Sequence, residues 1–542
     1  MILKMKKYYF KRWYLIITLV FILSVQCTAP ASKDSVAHPP KINLLFIMTD
    51  EQRFDALSIA GNNVLETPNL DRLAREGAFF KNAYTPCAVC GPARSSILTG
   101  HTIENTGMNA NIKAYYYEEE GLMTMPTFDE ILAENGYHCE YYGKWHSQTS
   151  HTKVYNNPKS HSKDGKSVFM HGGQRYVYLD YLNDKFPKRE LKPGELYDIF
   201  SERPYMKDPL DNCYDMSYEE FLAQQPARRQ NDTHGELMIP REHSLTAFQA
   251  KETIEAIERL KEKPFSITCS FNFPHPPILP TAPYYNMYPA EDIEPPVSLM
   301  DDMTNSPYQS ASERLERTEY ADPERIKYMI SNYYGLVKEI DDWVGKILDK
   351  LDDLGLAENT LVIFTSDHGE MLGDHGMRGK FNFHEESAHI PLMIRFPGRI
   401  QQKTTVDGYI SLLDLFPTIL DYLNIEAQPS DGKSLRGLLD GTDKKHGKYV
   451  VTEWNSNGDV TPNYMIMKDG CKLMVPFSKT STVINAMYNL NNDPHEMKNL
   501  LGKSPDRSDY AEKAEELKEC LLEWLKNNNS IHYDGVKERE LI

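Results

Sequence analysis

Short apolar runs that end in charged or imidazole-bearing residues, with amphipathic stretches between them, set the strongest constraint on this chain. Ile42 to Met48 is almost uninterruptedly apolar, has the length of a buried parallel strand, and ends in Thr49-Asp50-Glu51-Gln52-Arg53. Similar runs lie around Tyr137 to Tyr142, Pro264 to Phe273, Thr360 to Thr365 and Pro391 to Phe396. The first three of these lead into Lys144-Trp145-His146, His275 and Ser366-Asp367-His368-Gly369. Ahead of Thr360, the residues Met329, Tyr333, Leu336, Ile340, Trp343, Ile347 and Leu351 recur every three or four positions, one face of a long helix read as core. Strands alternating with helices predict an α/β fold, a large doubly wound and mainly parallel sheet flanked by helices. In such a sheet the polar residues at the strands' carboxyl ends fall where sites are built.

A chain of 542 residues is long for one core. Residues 41–440 are assigned to the large domain. From about Gly441 the texture changes to shorter pieces, Lys448 to Trp454, Met465 to Val475 and Tyr488 to Pro494, followed by an amphipathic helix over Tyr510 to Trp524. Residues 441–542 therefore read as a small C-terminal α+β subdomain with an antiparallel sheet. Between about 152 and 244 periodicity is lost in an irregular, Tyr- and Pro-rich insertion; a stretch this long inside a domain is either functional or a solvated excursion. His171, Arg175, Arg241 and His243 are its candidate substrate contacts. Pro277 to Pro323 is a second irregular stretch.

The N-terminus carries Lys4, Lys6, Lys7, Lys11 and Arg12 ahead of an apolar run, Leu15 to Val25, too short to span a bilayer comfortably. Residues 1–26 read as a secretory signal, and Cys27 with the polar linker 27–40 resembles the lipid-attachment site of a bacterial lipoprotein, although Gln26 stands where a small residue is usual. An ordinary signal peptide cut nearby, or an uncleaved anchor helix, fits the same residues. The expected location is the periplasm or outer membrane of a Gram-negative bacterium. The net charge is −18 and grows more negative once the basic leader is removed, which argues against a nucleic-acid partner. Eight cysteines in so long a chain are no disulfide scaffold, and one or two bridges in an exported protein cannot be paired from spacing.

Cys90-Gly91-Pro92-Ala93-Arg94 with Leu98-Thr99-Gly100 carries the chemistry. Pro92 suits the first helical turn, so Cys90 sits at a helix N-terminus, where unpaired N–H groups and the dipole favour an anion. Read bare, this is a reactive thiolate or a half-buried structural cysteine. The full Cys-x-Pro-x-Arg pattern resembles the signature of the formylglycine-dependent sulfatases, of the alkaline-phosphatase-like superfamily. The resemblance extends in order through Thr49 to Gln52, Thr67 to Gly77, Gly143 to His146, Pro274-His275-Pro276, Ser366 to Gly369, Gly379-Lys380, Glu385-Glu386, Asp414 to Thr418 and Tyr488 to Pro494. It implies oxidation of Cys90 to 3-oxoalanine (formylglycine) by a maturase, and a hydrated aldehyde as nucleophile.

Asp50, Glu51, Asp367 and His368, with residue 90, then stand as the ligands of a divalent cation, Ca²⁺ first and Mg²⁺ or Mn²⁺ behind it, since carboxylates and imidazole suit a hard ion. Glu51 replaces a commoner Asp, and His368 a commoner Asn. By the same resemblance Arg94 holds the formylglycine, Lys144 and Lys380 hold sulfate oxygens, His275 with Lys380 protonates the leaving oxygen, and His146 takes up the second proton. The implied activity is hydrolysis of a sulfate monoester on a carbohydrate of glycosaminoglycan or mucin type. Two alternatives remain, a phosphonate or phosphodiester hydrolase of the same superfamily and an inactive surface lipoprotein that binds sulfated glycans. If Cys27 carries a lipid, Cys27→Ala moves the protein from the membrane to the soluble fraction; unchanged fractionation excludes the lipid anchor.

Overall fold

The computed structural model describes residues 41–111, 124–147, 175–207, 234–309, 323–443, 446–454 and 460–542. The signal and linker expected over 1–40, including Cys27, lie outside the described residues, as do His171 and Cys213. The strands run β1 (Asn43–Asp50), β2 (Ala78–Tyr84), β3 (His138–Gly143), β4 (Glu195–Tyr197), β5 (Pro204–Lys207), β6 (Gly235–Leu237), β7 (Phe265–Pro274), β8 (Thr360–Ser366), β9 (Leu392–Arg395), β10 (Thr404–Ser411), β11 (Val450–Glu453), β12 (Tyr464–Lys468), β13 (Cys471–Val475) and β14 (Ala486–Asn489).

Seven of them form one sheet in the order β10-β2-β9-β8-β1-β7-β3. β1 lies near its middle and pairs in parallel with β7 and β8, as β3 does with β7 and β10 with β2. Only β9 is reversed, running antiparallel to β2 and β8. All eight residues of β1 are buried because both faces of the sheet are covered. Leu45 and Ile47 join a core with the helices Pro68–Glu76, Leu245–Leu260 and Pro323–Asp353. Leu44, Phe46 and Met48 point the other way, to the helices Cys90–Thr99, Phe128–Glu134 and Leu415–Tyr422. This is the doubly wound arrangement of an α/β fold.

β11, β12, β13 and β14 make a separate antiparallel sheet in that order. One face packs Ile466, Leu473 and Val475 on Leu517, Leu521 and Leu525 of the helix Ala511–Asn527. The other face turns Met465, Met467 and Met474 toward Tyr84 at the end of β2 and toward Met371 and Phe383 in the loops after β8. Lys472 of β13 is fully buried in that second contact, where its ammonium meets Glu385 at 2.7 Å and Glu496 at 2.9 Å and donates to the Phe383 carbonyl at 2.8 Å.

In its described parts, 175–207 and 234–244, the expected irregular insertion has regular structure. It contains a helix, Arg175–Lys185, and a three-stranded antiparallel sheet of β4, β5 and β6. Strands of three or four residues are too short to leave a period of two in the sequence. Cys87, Cys90, Cys139, Cys269, Cys471 and Cys520 are all free thiols.

Lys472 makes the join between the two sheets sensitive to acid. Against burial, Lys472 and His389 hold Glu385 down to about 2, so its share of stability is full above the ordinary carboxylate value and is lost as pH falls through the range below it. Burial pushes His384 down to about 4, so the unfolded chain takes up a proton that the native state refuses between about 6.5 and 4, again destabilising on the acid side. Lys472→Met, which strands two buried carboxylates, is expected to cost about 3–5 kcal/mol in denaturant unfolding at neutral pH and to flatten the acid limb. Unfolding indistinguishable from the parent would contradict this.

Candidate active site

The site begins where β1 and β8 end side by side. Thr49 lies opposite Ser366 in the parallel register, which brings Asp50 and Asp367 to the same carboxyl edge. Backbone amides then fix the Asp367 carboxylate: Glu51 N donates to its Oδ1 at 3.2 Å and His368 N at 2.9 Å. On its other oxygen Asp367 meets Arg94 Nε at 2.7 Å, and both side chains are fully buried. Arg94 also donates to the Lys144 carbonyl at 2.8 Å and to Ser270 Oγ at 2.7 Å, so one guanidinium ties together the Cys90 helix, β7, β8 and the end of β3.

Cys90 is the first residue of the Cys90–Thr99 helix, as Pro92 predicts, and the helix closes on Gly100 in the left-handed region. The Gly91 amide donates to Asn111 Oδ1 at 2.9 Å. His368 donates from Nδ1 to the Gly369 carbonyl at 2.9 Å, because a carbonyl can only accept; this turns Nε2 to Cys90 Sγ at 3.0 Å. Ligand atoms of Asp50, Cys90, Asp367 and His368 all lie within 4.8 Å of one another, and all four residues are buried. Asp50 Oδ1 is buried without a hydrogen-bond partner. Two carboxylates, an imidazole nitrogen and an orphaned buried oxygen fit a divalent cation.

Fixed cations surround the group. Lys144 pairs with Asp50 and Lys380 with Glu51. Burial works against the charge on Asp50, yet Lys144, His275 and Arg94 hold it well below the usual carboxylate range. Burial opposes the Cys90 thiolate too, yet Lys144 and Lys380 hold that thiol well below its ordinary value. Burial, with Lys144 and Arg94 close by, pushes His146 well below its ordinary value and keeps its ring neutral.

Glu51, expected among the ligands, is not in the four-residue group. Its backbone adopts φ 69°, and its carboxylate turns to Lys380 and lies 3.6 Å from His275 Nε2. His275 donates from Nδ1 to the Pro276 carbonyl at 2.6 Å. His146 has φ 49°, a second non-glycine residue in the left-handed region beside the site. Gly143, just before Lys144, has φ +100°, and a Cβ there would stand 1.8 Å from the Ser270 carbonyl oxygen. The insertion residues stand apart. The side chain of Arg175 lies outside the described atoms, and Arg241 is exposed. His243 is held by the Tyr181 hydroxyl at 2.8 Å, and no described contact joins it to the Cys90 group.

The sequence reading missed three supports. Ser270 is a polar residue inside a fully buried strand, which is itself a signal of function. Tyr333 belongs to the helical stripe read as core, yet its hydroxyl donates to the Glu51 carbonyl at 2.6 Å and accepts from Arg53 N at 3.0 Å, pinning the left-handed turn. Thr85 Oγ1 donates to the Asp367 carbonyl at 2.6 Å, and nothing in its local sequence marks it.

Known proteins similar to this chain are mainly sulfatases. The family model described as Sulfatase matches residues 42–425, and one described as N-sulphoglucosamine sulphohydrolase, C-terminal, matches residues 373–527. An arylsulfatase of Clostridium perfringens is 28% identical over 515 residues, covering 92% of this chain and 97% of its own. An N-acetylglucosamine-6-O-sulfatase of Bacteroides thetaiotaomicron is 27% identical over 535 residues, 93% of this chain and 89% of its own. The solved phosphonate monoester hydrolase of Agrobacterium radiobacter superposes with a TM-score of 0.70 at 22% identity, over 90% of this chain and 96% of that one.

Asp50 offers the orphaned oxygen, so for a divalent cation held by this group Asp50→Asn is expected to weaken binding by at least about tenfold, read with Ca²⁺ in calorimetry of the full chain. Unchanged affinity would place the ion elsewhere.

Proposed function

The chain belongs to the sulfatase family, with its alkaline-phosphatase-like fold, and is a sulfuric ester hydrolase; from that premise we propose that it removes sulfate from a carbohydrate, using formylglycine at position 90 and a divalent cation. The observation that carries the proposal is the burial of Cys90 Sγ among Asp50, Asp367 and His368 with Lys144 and Lys380 alongside. Oxidised to formylglycine, residue 90 would supply the attacking hydroxyl as a hydrated aldehyde. Asp50, Asp367 and His368 would hold the cation, with Glu51 at its edge; the ion would supply positive charge to the ester's oxygens. Ca²⁺ is the leading ion, since the donors are mainly oxygen.

The remaining work falls to side chains of this chain. Lys144 and Lys380 are buried cations placed to bind the sulfate oxygens, and the low-dielectric surroundings strengthen their hold. Arg94, already fixed by Asp367, Ser270 and the Lys144 carbonyl, orients residue 90 one helical turn away. His275, with Nδ1 committed to a carbonyl, presents Nε2 for the proton that the leaving sugar oxygen needs. The resemblance assigns the second proton to His146, whose ring is neutral beside Lys144 and Arg94.

A carbohydrate substrate is supported by likeness to the N-acetylglucosamine-6-O-sulfatase, which spans nearly the whole chain. The polar groups gathered around Cys90 weigh against an inert glycan-binding protein, which has no use for proton donors or a buried cation site. Phosphonate or phosphate diesters are the second reading, favoured by the superposition on the phosphonate monoester hydrolase. The basic leader and Cys27 support export as a periplasmic or outer-membrane lipoprotein.

The test is sulfate release from sulfated mono- and disaccharides by protein co-produced with a formylglycine-generating enzyme. Release is expected from the parent and none from Cys90→Ala or from chelated protein, with an aldehyde detected by mass at position 90. Faster turnover of phosphonate monoesters or phosphate diesters than of any sulfate ester would favour the second reading. Full activity of Cys90→Ala would remove the nucleophile assignment.

A further inference from the structure

Phe381 directly follows Lys380, and its backbone has φ 74°, a conformation costly for a bulky side chain. Such a residue persists only where its surroundings fix it. Here the Phe381 amide donates to the Ala88 carbonyl at 3.3 Å, and its ring packs with Cys87, Val89 and Ile103 at the foot of the Cys90 helix. The ring centroid lies 6.0 Å from Lys380 Nζ, the ammonium that reaches Glu51 inside the site.

A second ring completes the feature. Trp454 follows β11 and lies with its centroid 5.5 Å from that of Phe381, the planes inclined by 40°. The C-terminal sheet is anchored here to the chain just before Cys90, through Glu453 N to the Pro86 carbonyl at 2.9 Å and Thr452 Oγ1 to the Thr85 carbonyl at 2.7 Å. Both residues are half-buried, whereas the Cys90 group is fully buried. Neither ring enters the chemistry described above.

We infer that Phe381 and Trp454 form an aromatic wall at the mouth of the site and stack on the apolar C–H face of the sugar that bears the sulfate. The inference rests on the carbohydrate reading. The physical reason is a division of labour: buried cations hold the sulfate, and a pyranose, being neutral over most of its surface, needs apolar contact and shape for the rest of its affinity. Two half-buried rings meet that need, and Phe381 links the wall in sequence to the lysine proposed to hold the sulfate.

The experiment uses full-length protein and a panel of sulfated monosaccharides that includes N-acetylglucosamine 6-sulfate. Binding is read by calorimetry in the Cys90→Ala background and turnover in the matured parent. Trp454→Ala and Phe381→Asn each remove a ring, and Asn tolerates the left-handed backbone, so the second variant keeps the fold. Each is expected to raise Kd and KM by about tenfold, the scale of one lost aromatic contact, with kcat within about threefold and Trp454→Phe recovering most of the loss. Unchanged Kd in both variants, or a lowered melting temperature with unchanged Kd, overturns the wall. Sulfate release by a parent whose variants bind as it does would leave the sulfatase reading standing without the wall. Ring-dependent binding by a parent that releases no sulfate would do the reverse. Failure of every sugar to bind overturns the inference.

Discussion

The buried pair between Arg94 and Asp367 is the interaction on which the rest of the site depends. Both side chains are fully excluded from water: two backbone amides hold one oxygen of Asp367, a hydroxyl and a carbonyl hold Nη1 of the guanidinium, and Arg94 Nη2 is buried without a hydrogen-bond partner among the described residues. A buried ion pair of this kind adds little net stability, but removal of one member leaves a charge that the interior cannot solvate, at about 3–5 kcal/mol. Its value is therefore positional. It fixes the start of the Cys90 helix relative to the ends of β3, β7 and β8, and the reactive residue inherits its place from that tie.

The same logic extends outward through single atoms. Tyr333 bridges the long helix Pro323–Asp353 to the turn after β1, and so the helix that covers one face of the sheet also sets the direction of Glu51. Lys472 does the equivalent for the C-terminal sheet, which reaches the loops around Glu385 and, through β11, the chain that precedes Cys90. The small sheet is thus part of the frame of the site, and Trp454, just after β11, packs there on Phe381.

Much of this was legible in the sequence where burial is complete. β1, β7 and β8 are apolar runs because both faces are covered, and their polar ends marked Asp50, His275, Asp367 and His368 before any contact was known. β2 and β10 escaped notice for the opposite reason: Lys81 and Asn82 interrupt one, and the other is an edge strand, partly exposed, with Asp407 and Gly408 inside it. The reversal of β9 has no signature, since an antiparallel buried strand reads like a parallel one. Within the site, residue identities came through the resemblance carried by Cys90 to Gly100, whereas the turn of Glu51 toward Lys380 depends on a backbone angle and on a tyrosine some 282 positions away, neither of which a local pattern records.

The charge distribution explains how an acidic protein can act on an anionic ester, and it constrains the recognition that remains. With a net charge of −18, the chain repels a sulfated sugar at long range, although salt screens that repulsion beyond about 8 Å. Lys144, Lys380 and Arg94 offset Asp50, Glu51 and Asp367 inside the buried pocket, one cation to one carboxylate. Attraction to sulfate is therefore a contact property rather than a steering one. A substrate must be held at the mouth by something other than charge long enough for its sulfate to exchange into those pairs. On the proposed reading Lys380 exchanges Glu51 for sulfate, and the rings of Phe381 and Trp454 beside it are the groups proposed to hold the sugar.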